Sequence, residues 1–433
     1  MNLITRIPDT NGKERVVIIG GGFAGLELAK KIDQKKYQIV LIDKNNYYQF
    51  QPLFYQVASS GLEPSSITYP HRKSFQRSKN FHFRMCKAQE VLPKENILRT
   101  NIGDIPYDKL IISTGCDTNY FGNDKLREDT FPLKSVSESL LLRNRILLSF
   151  EEALSAKNED ELKETLTFVI VGGGATGVEL AGALADMRSS ILPKDYPEID
   201  FDKMEIHLID ASPRILSSMS EKASTSATNA LIKRNIILHQ NISVKSYNRP
   251  EVELSNEEKI ISRNVFWVAG VKPNSLNGLA ETAYHSRGRI LVNKLNQVNG
   301  YNDIFAIGDT AILITEENPK GHPQVAQVAI QMAKNLARNL NNFSDEKEYV
   351  PFVYHDRGSL ATIGRNAAVA DLGRFRFGGR FAWWLWLWVH ILSIIGMRNR
   401  IAVFIDWVWN YLNYDVSLRL LIKPKANKMY EEQ

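Results

Sequence analysis

Gly20, Gly22 and Gly25 punctuate the stretch "RVVIIGGGFAG", and glycines at that spacing, directly after a β-branched apolar run, suit one kind of chemistry. The first lets the chain turn tightly out of a strand, the second lets backbone approach a pyrophosphate, and the third lets the next helix pack on the strand. The pyrophosphate then sits on unpaired N–H groups at the positive end of that helix. A further strand-like run, "YQIVLID", ends on Asp43, 18 positions after Gly25 and suited to accept from both ribose hydroxyls. The pattern recurs in "LTFVIVGGGATGVELAGALADM" and "MEIHLIDA", where Gly172, Gly174 and Gly177 open the helix and Asp210 ends the strand. A lone fingerprint is weak evidence. Two complete ones 152 positions apart mean two dinucleotide sites, and the carboxylate at 210 favours NADH over NADPH because it repels a 2′-phosphate. Arg214 nearby softens that preference.

Each fingerprint needs a strand, helix and strand to hold it, so the fold class is α/β with two Rossmann-like dinucleotide-binding domains. The chain has 433 residues, long for one hydrophobic core, and 44% hydrophobic with 24% charged residues is a globular composition. Only Cys86 and Cys116 are present, without a Cys-x-x-Cys pair; this excludes a dithiol centre and a disulfide scaffold, and each is read as a small core hydrophobe. The opening "MNLITRIPDTNGKER" lacks the apolar segment of a secretory signal. The eight histidines form no metal-ligand spacing, so no metal is expected, and no nucleic-acid-binding motif is present. The charge run "EEALSAKNEDELKET" reads as one solvated helix.

Several further strings, each weak alone, follow a specific order. They are "YYQFQPLFYQVASSGLEPSSI", "YDKLIISTGCDTN" with Thr114 and Gly115, "RNVFWVAGVKPN", "NGYNDIFAIGDTA" with Asp309, and "HPQVAQVAIQMAKNLARNL". Together they resemble the glutathione-reductase-like flavoproteins with two dinucleotide-binding domains, and within them the type II NADH dehydrogenases, non-pumping NADH:quinone oxidoreductases. The resemblance implies non-covalent FAD at the first fingerprint, with Asp309 on its ribityl chain, and NADH in an inserted second domain. It implies an FAD domain at 1–125 and 286–348, an NADH domain at 126–285, and a membrane-anchoring region at 349–433. Hydride would pass from NADH to the flavin and electrons onward to quinone. The Ala-Gln-x-Ala-x-Gln pattern falls on Ala326, Gln327, Ala329 and Gln331. Gln327 and Gln331, four apart on a helix, are expected to point together at a quinone carbonyl, with Gln327 also near FAD; Ala326 and Arg400 join the quinone site. Ala326, Ala329, Ala333 and Ala337 lie at three- and four-residue spacing, a small-residue face able to approach a flat ring. That helix is expected to begin near Pro323, its N–H groups facing the flavin. Glu179, in the first turn after the second fingerprint, is expected near the nicotinamide and flavin, where it tunes binding or assists proton delivery.

The tail sets the location. "RFAWWLWLWVHILSIIGMRNR" holds four tryptophans in six positions, and from Phe381 to Met397 no charged residue occurs. As a helix those 17 residues span ~26 Å, marginal against a hydrocarbon core of about 30 Å. In the next segment Asn399, Asp406, Asn410, Asn413 and Ser417 fall on one arc of a helix, opposite Ile401, Phe404, Ile405, Val408 and Leu412. From Asp371 onward nine Lys/Arg face five Asp/Glu, a net +4 of the chain's +6. Basic and aromatic residues on an amphipathic pattern ending in "IKPKANK" suit two helices lying in the interface of an anionic membrane. The expected enzyme is therefore peripheral on the cytoplasmic face of the cell membrane, a homodimer that pools its apolar surface. No transmembrane carboxylate chain is visible, so no proton pumping is expected. Two other readings stay open: a flavoprotein reductase for a soluble acceptor, which leaves the aromatic tail unexplained, and a membrane-tethered NADH sensor.

Overall fold

Each glycine fingerprint leaves a parallel strand and enters a helix in the computed structural model, which describes residues 6–342, 349–413 and 418–421. β1 (Glu14–Ile19), α1 (Phe23–Lys31) and β2 (Tyr37–Asp43) carry the first. The short helix α2 (Phe54–Ala58), β3 (Phe81–Met85) and β4 (Lys109–Ile112) follow. β5 (Phe131–Pro132), α3 (Val136–Leu154) and α4 (Glu159–Leu166) lead to the second fingerprint on β6 (Thr167–Val171), α5 (Ala175–Ser190) and β7 (Glu205–Asp210). Next come α6 (Glu221–Ile232), β8 (Ile237–Gln240), β9 (Asn264–Trp267), β10 (Ile304–Ala306) and α7 (Ala326–Asn342). An antiparallel meander of β11 (Ser359–Gly364), β12 (Ala367–Leu372) and β13 (Phe375–Gly379) runs into α8 (Arg380–Ser393) and α9 (Met397–Asn413).

The chain divides into two compact units: Met1–Gln49, Thr68–Asp117 and Val271–Arg357 form the first, and Phe50–Ile67, Thr118–Gly270 and Gly358–Gln433 the second. The first is built on a parallel sheet of order β10-β4-β1-β2-β3, the second on β5-β9-β6-β7-β8. In both, the fingerprint strand is central and the strand ending on aspartate lies beside it. Val16, Val17 and Ile18 of β1 and Phe168, Val169 and Ile170 of β6 have no exposed surface, as expected of strands covered on both faces. The second unit takes the 50–67 segment, its middle segment runs from 118 to 270, and it takes everything after 357. The acidic run is also two helices, because Asn158 caps α4 by accepting from the Glu161 N–H at 2.9 Å.

In the tail, α8 stops at Ser393 and Gly396, with φ +89°, sits in the turn before α9. No helix of the described residues is long and apolar enough to cross a membrane. The first part of the polar arc of α9 faces the protein, while Asn413 at its end is exposed: Asn399 is buried, and the Asn410 side-chain amide donates to Gly61 O at 3.3 Å. The apolar arc faces outward, with Ile401, Phe404, Ile405, Val408 and Leu412 between 41% and 69% exposed. Ser417 and the "IKPKANK" segment lie outside the described residues.

Candidate active site

The three glycines of each fingerprint are glycine for three different reasons. Gly20 has φ +97°, and a Cβ there would stand 2.3 Å from Ser113 O; a Cβ on Gly25 would stand 1.9 Å from Gly20 O. Gly22 is unlike both. Its φ of −74° suits any residue, and nothing lies within 4 Å of where its Cβ would be. The second fingerprint repeats this: Gly172 has φ +117° with Val268 and Ala269 backbone 2.8 Å away, Gly177 meets Gly172 O at 1.9 Å, and Gly174 faces open space. Neither fold nor backbone strain requires glycine at 22 or 174, so the open space fits a pyrophosphate pressed against the turn.

The two aspartates are alike as well. Asp43 accepts from the Gly21 N–H at 2.6 Å and the Asn45 N–H at 2.7 Å; burial pushes its carboxyl up while these donors pull it down. Asp210 accepts from the Gly173 N–H and, at 2.6 Å, from the Ser212 N–H. Each carboxylate oxygen has a second lone pair able to accept a further hydrogen bond. The Arg214 guanidinium donates to Met219 O at 2.8 Å and Ser217 O at 3.0 Å, tying down its own loop. In the first unit Gly115 has φ +67°, Thr114 Oγ1 donates to Asn274 O at 3.0 Å, and Asp309 Oδ2 accepts from the Cys116 thiol at 3.1 Å.

Gln327 and Gln331 stand one turn apart on α7, and both amides grip the following segment. Gln331 Nε2 donates to His355 O at 2.9 Å and its Oε1 accepts from the His355 N–H at 3.0 Å. Gln327 Oε1 accepts from the Arg357 N–H at 3.1 Å and its Nε2 reaches Asp356 Oδ1 at 3.4 Å. The small-residue face of α7 is buried. Ala329, Ala333 and Ala337 are buried, α7 packs on α1, and Gly308 fits against Ala24 and Ala329. The alanines permit close helix packing, and α7 begins at Ala326 rather than near Pro323.

In the second unit Glu179, Gly182 and Asp186 lie on one face of α5, at three- and four-residue spacing. That face rests on β11 and its turn. Glu179 Oε1 accepts from the Thr362 N–H at 3.3 Å, a Cβ on Gly182 would stand 2.2 Å from Ile363 O, and Asp186 Oδ2 accepts from the Arg365 N–H at 2.7 Å. Burial pushes the Glu179 carboxyl up to about 8, against the Thr362 N–H and the Trp386 indole, which lower it. It therefore holds a proton at neutral pH. Arg400, on α9, donates through Nε to Ile394 O at 2.8 Å and closes the α8–α9 turn.

Residues 14–333 match the family model described as pyridine nucleotide-disulphide oxidoreductase, and residues 356–413 match the NDH2 C-terminal domain. The type II NADH:quinone oxidoreductase Ndh of Mycobacterium tuberculosis is 33% identical over 416 residues, covering 93% of this chain and 89% of its own. The chain belongs to the type II NADH:quinone oxidoreductases. The external NADH-ubiquinone oxidoreductase 2 of Saccharomyces cerevisiae mitochondria is 28% identical over 92% of this chain and 81% of its own length. NDH2 from Plasmodium falciparum, solved in complex with NADH, has the same fold: TM-score 0.88 at 23% identity, covering 95% of this chain and all of that one.

In this type II oxidoreductase three features of the candidate site carry no signal in the local sequence. Thr362 and Trp386, which act on Glu179, carry no local motif. Cys116 is half-buried and bonded to Asp309 rather than being a core hydrophobe. His71, wholly buried beneath Gly21, has a ring 2.4 Å from where a Cβ on that glycine would stand.

Proposed function

We propose that this type II oxidoreductase oxidises NADH and reduces a membrane quinone through non-covalent FAD without pumping protons, as a peripheral homodimer on the cytoplasmic face of the cell membrane. The observation that carries the reading is an outward apolar face on a chain with two dinucleotide cradles. α9 turns five apolar residues outward, and Phe381, Trp384, Trp388 and Leu392 of α8 are more than half exposed. An NADH enzyme with a lipid-soluble acceptor needs such a surface.

FAD, when bound, supplies the two-electron carrier between nicotinamide and quinone. The chain's own residues position and protonate. Gly20, Gly22, Gly25, Asp43, Thr114, Gly115 and Asp309 are the FAD set, and Gly172, Gly174, Gly177, Glu179 and Asp210 the NADH set. Ala326, Gln327, Gln331 and Arg400 are the quinone set. Gln327 and Gln331 hold the 355–357 backbone in place, and the second N–H of Gln331 can donate to a quinone oxygen. Glu179, protonated at neutral pH, is the proton-holding group near the chemistry.

An anaerobic absorbance titration tests this. NADH should bleach a flavin spectrum at one equivalent, NADPH should do so far more slowly, and a quinone analogue should restore it. Protein without flavin bands, or reduced protein that quinone does not reoxidise, refutes the reading.

A further inference from the structure

The buried side of the lipid-facing helix α8 meets Glu179 of α5 through Trp386. Trp386 is 1% exposed although Trp384 and Trp388, two positions away on either side, are 55% and 64% exposed. A helix meant only to lie on lipid has no need to send its largest side chain inward. Trp386 is packed on three sides: His390 stacks on it at 4.0 Å between ring centroids, Trp407 of α9 stands at 5.8 Å, and Tyr55 of α2 meets it edge-on at 6.3 Å. The His390 Nδ1–H donates to Trp386 O at 2.8 Å, which fixes the stacked ring. Behind Tyr55 runs a short polar chain. Gln56 Nε2 donates to the Tyr55 hydroxyl at 2.9 Å, and the Trp407 indole donates to Gln56 Oε1 at 2.7 Å. Both lipid-facing helices thus reach the same cluster through a tryptophan.

The indole N–H of Trp386 has no acceptor at full hydrogen-bond geometry, yet it is the side chain that eases ionisation of Glu179. A buried N–H left short of its acceptor is costly, so closer approach of the indole to the Glu179 carboxyl would relieve that cost. The groups around this carboxyl are few. Tyr55 feels its charge; His390 is kept neutral by burial; Asp186, farther along α5, has Arg234 and Arg365 beside it.

We propose that Trp386 is a positioning residue through which seating of α8 on a bilayer is transmitted to Glu179: docking presses the indole N–H onto the carboxyl that the Thr362 N–H already holds. The enzyme would then ready its proton-holding group only where its quinone is found. This rests on the role given to Glu179 above.

Infrared spectroscopy of the full-length, FAD-loaded enzyme follows the Glu179 carboxyl band, identified by its loss in Glu179→Gln. Titrated with pH, the band should have a lower midpoint on phosphatidylcholine/phosphatidylglycerol liposomes than in detergent. In Trp386→Phe, which keeps a ring but removes the N–H, the midpoint should rise by roughly half to one unit and become the same in both media. If Trp386→Phe fails to fold, benzothienyl-alanine at 386 keeps the volume and replaces the N–H by sulfur. An unchanged midpoint in the variant, or equal midpoints for the unaltered enzyme in the two media, overturns the proposal. Quinone turnover read in parallel separates the two claims. Undiminished turnover in Glu179→Gln defeats the reaction role of Glu179 and leaves the infrared test of positioning intact.

Discussion

Gly22 and Gly174 have room for a side chain and backbone angles that tolerate one. Gly22→Val should therefore fold normally and lose FAD, because only the ligand collides with the added methyls, while Gly174→Val should keep FAD and raise the KM for NADH. Flavin absorbance and near-ultraviolet circular dichroism check both; a folded, fully flavinylated Gly22→Val protein contradicts the cradle. Glu179 gives a prediction with a sign. Its folded pKa, about 8, lies above its ordinary 4.5, so the folded state binds the extra proton. The stability it contributes is complete below the ordinary value and is lost as pH rises through the folded one. His71 and His390, pushed down to about 4 by burial, act oppositely: their contribution is present above about 6.5 and lost as pH falls. Between pH ~6.5 and ~8.5 the acid acts without those two, and the melting temperature should fall. Glu179→Gln should flatten that slope, as differential scanning fluorimetry in buffers of matched ionic strength would show.

At the scale of the element, α7 shows how much periodicity says and where it stops. The spacing of Gln327 and Gln331 places them together, but not what they hold. The Ala329, Ala333 and Ala337 face is equally legible, yet a small-residue stripe fits a flat ring and a neighbouring helix alike, and only the tertiary structure shows that the stripe is buried and that α7 packs on α1. Gln327→Leu removes the acceptor of the Arg357 N–H and should slow reoxidation by quinone about tenfold, the effect of one well-placed hydrogen bond, while sparing reduction by NADH. Stopped-flow absorbance separates the two halves, and equal slowing would make Gln327 a packing residue.

For the whole molecule, the question is which side of the tail meets lipid. Removing the tail would also remove buried Trp386, so a cleaner change is Phe404→Glu, Ile405→Glu and Leu412→Glu together. All three are more than half exposed, which keeps the cost to folding small. Each loses about 1.5–3 kcal/mol of burial in lipid, so liposome binding should weaken ~100-fold or more. The variant should keep FAD and ferricyanide reduction by NADH, yet fail to float with liposomes; flotation at the unaltered level would defeat the docking surface. The sequence by itself determined the two cradles and the amphipathic arc of α9, because turn, helix and strand periods are local properties of the backbone. Only the tertiary structure decided that the apolar arc faces outward, that the 50–67 segment belongs with the second unit, and that Glu179 meets Thr362, 183 positions away. Those depend on which faces are buried against each other, a choice made by long-range packing that no local spacing encodes.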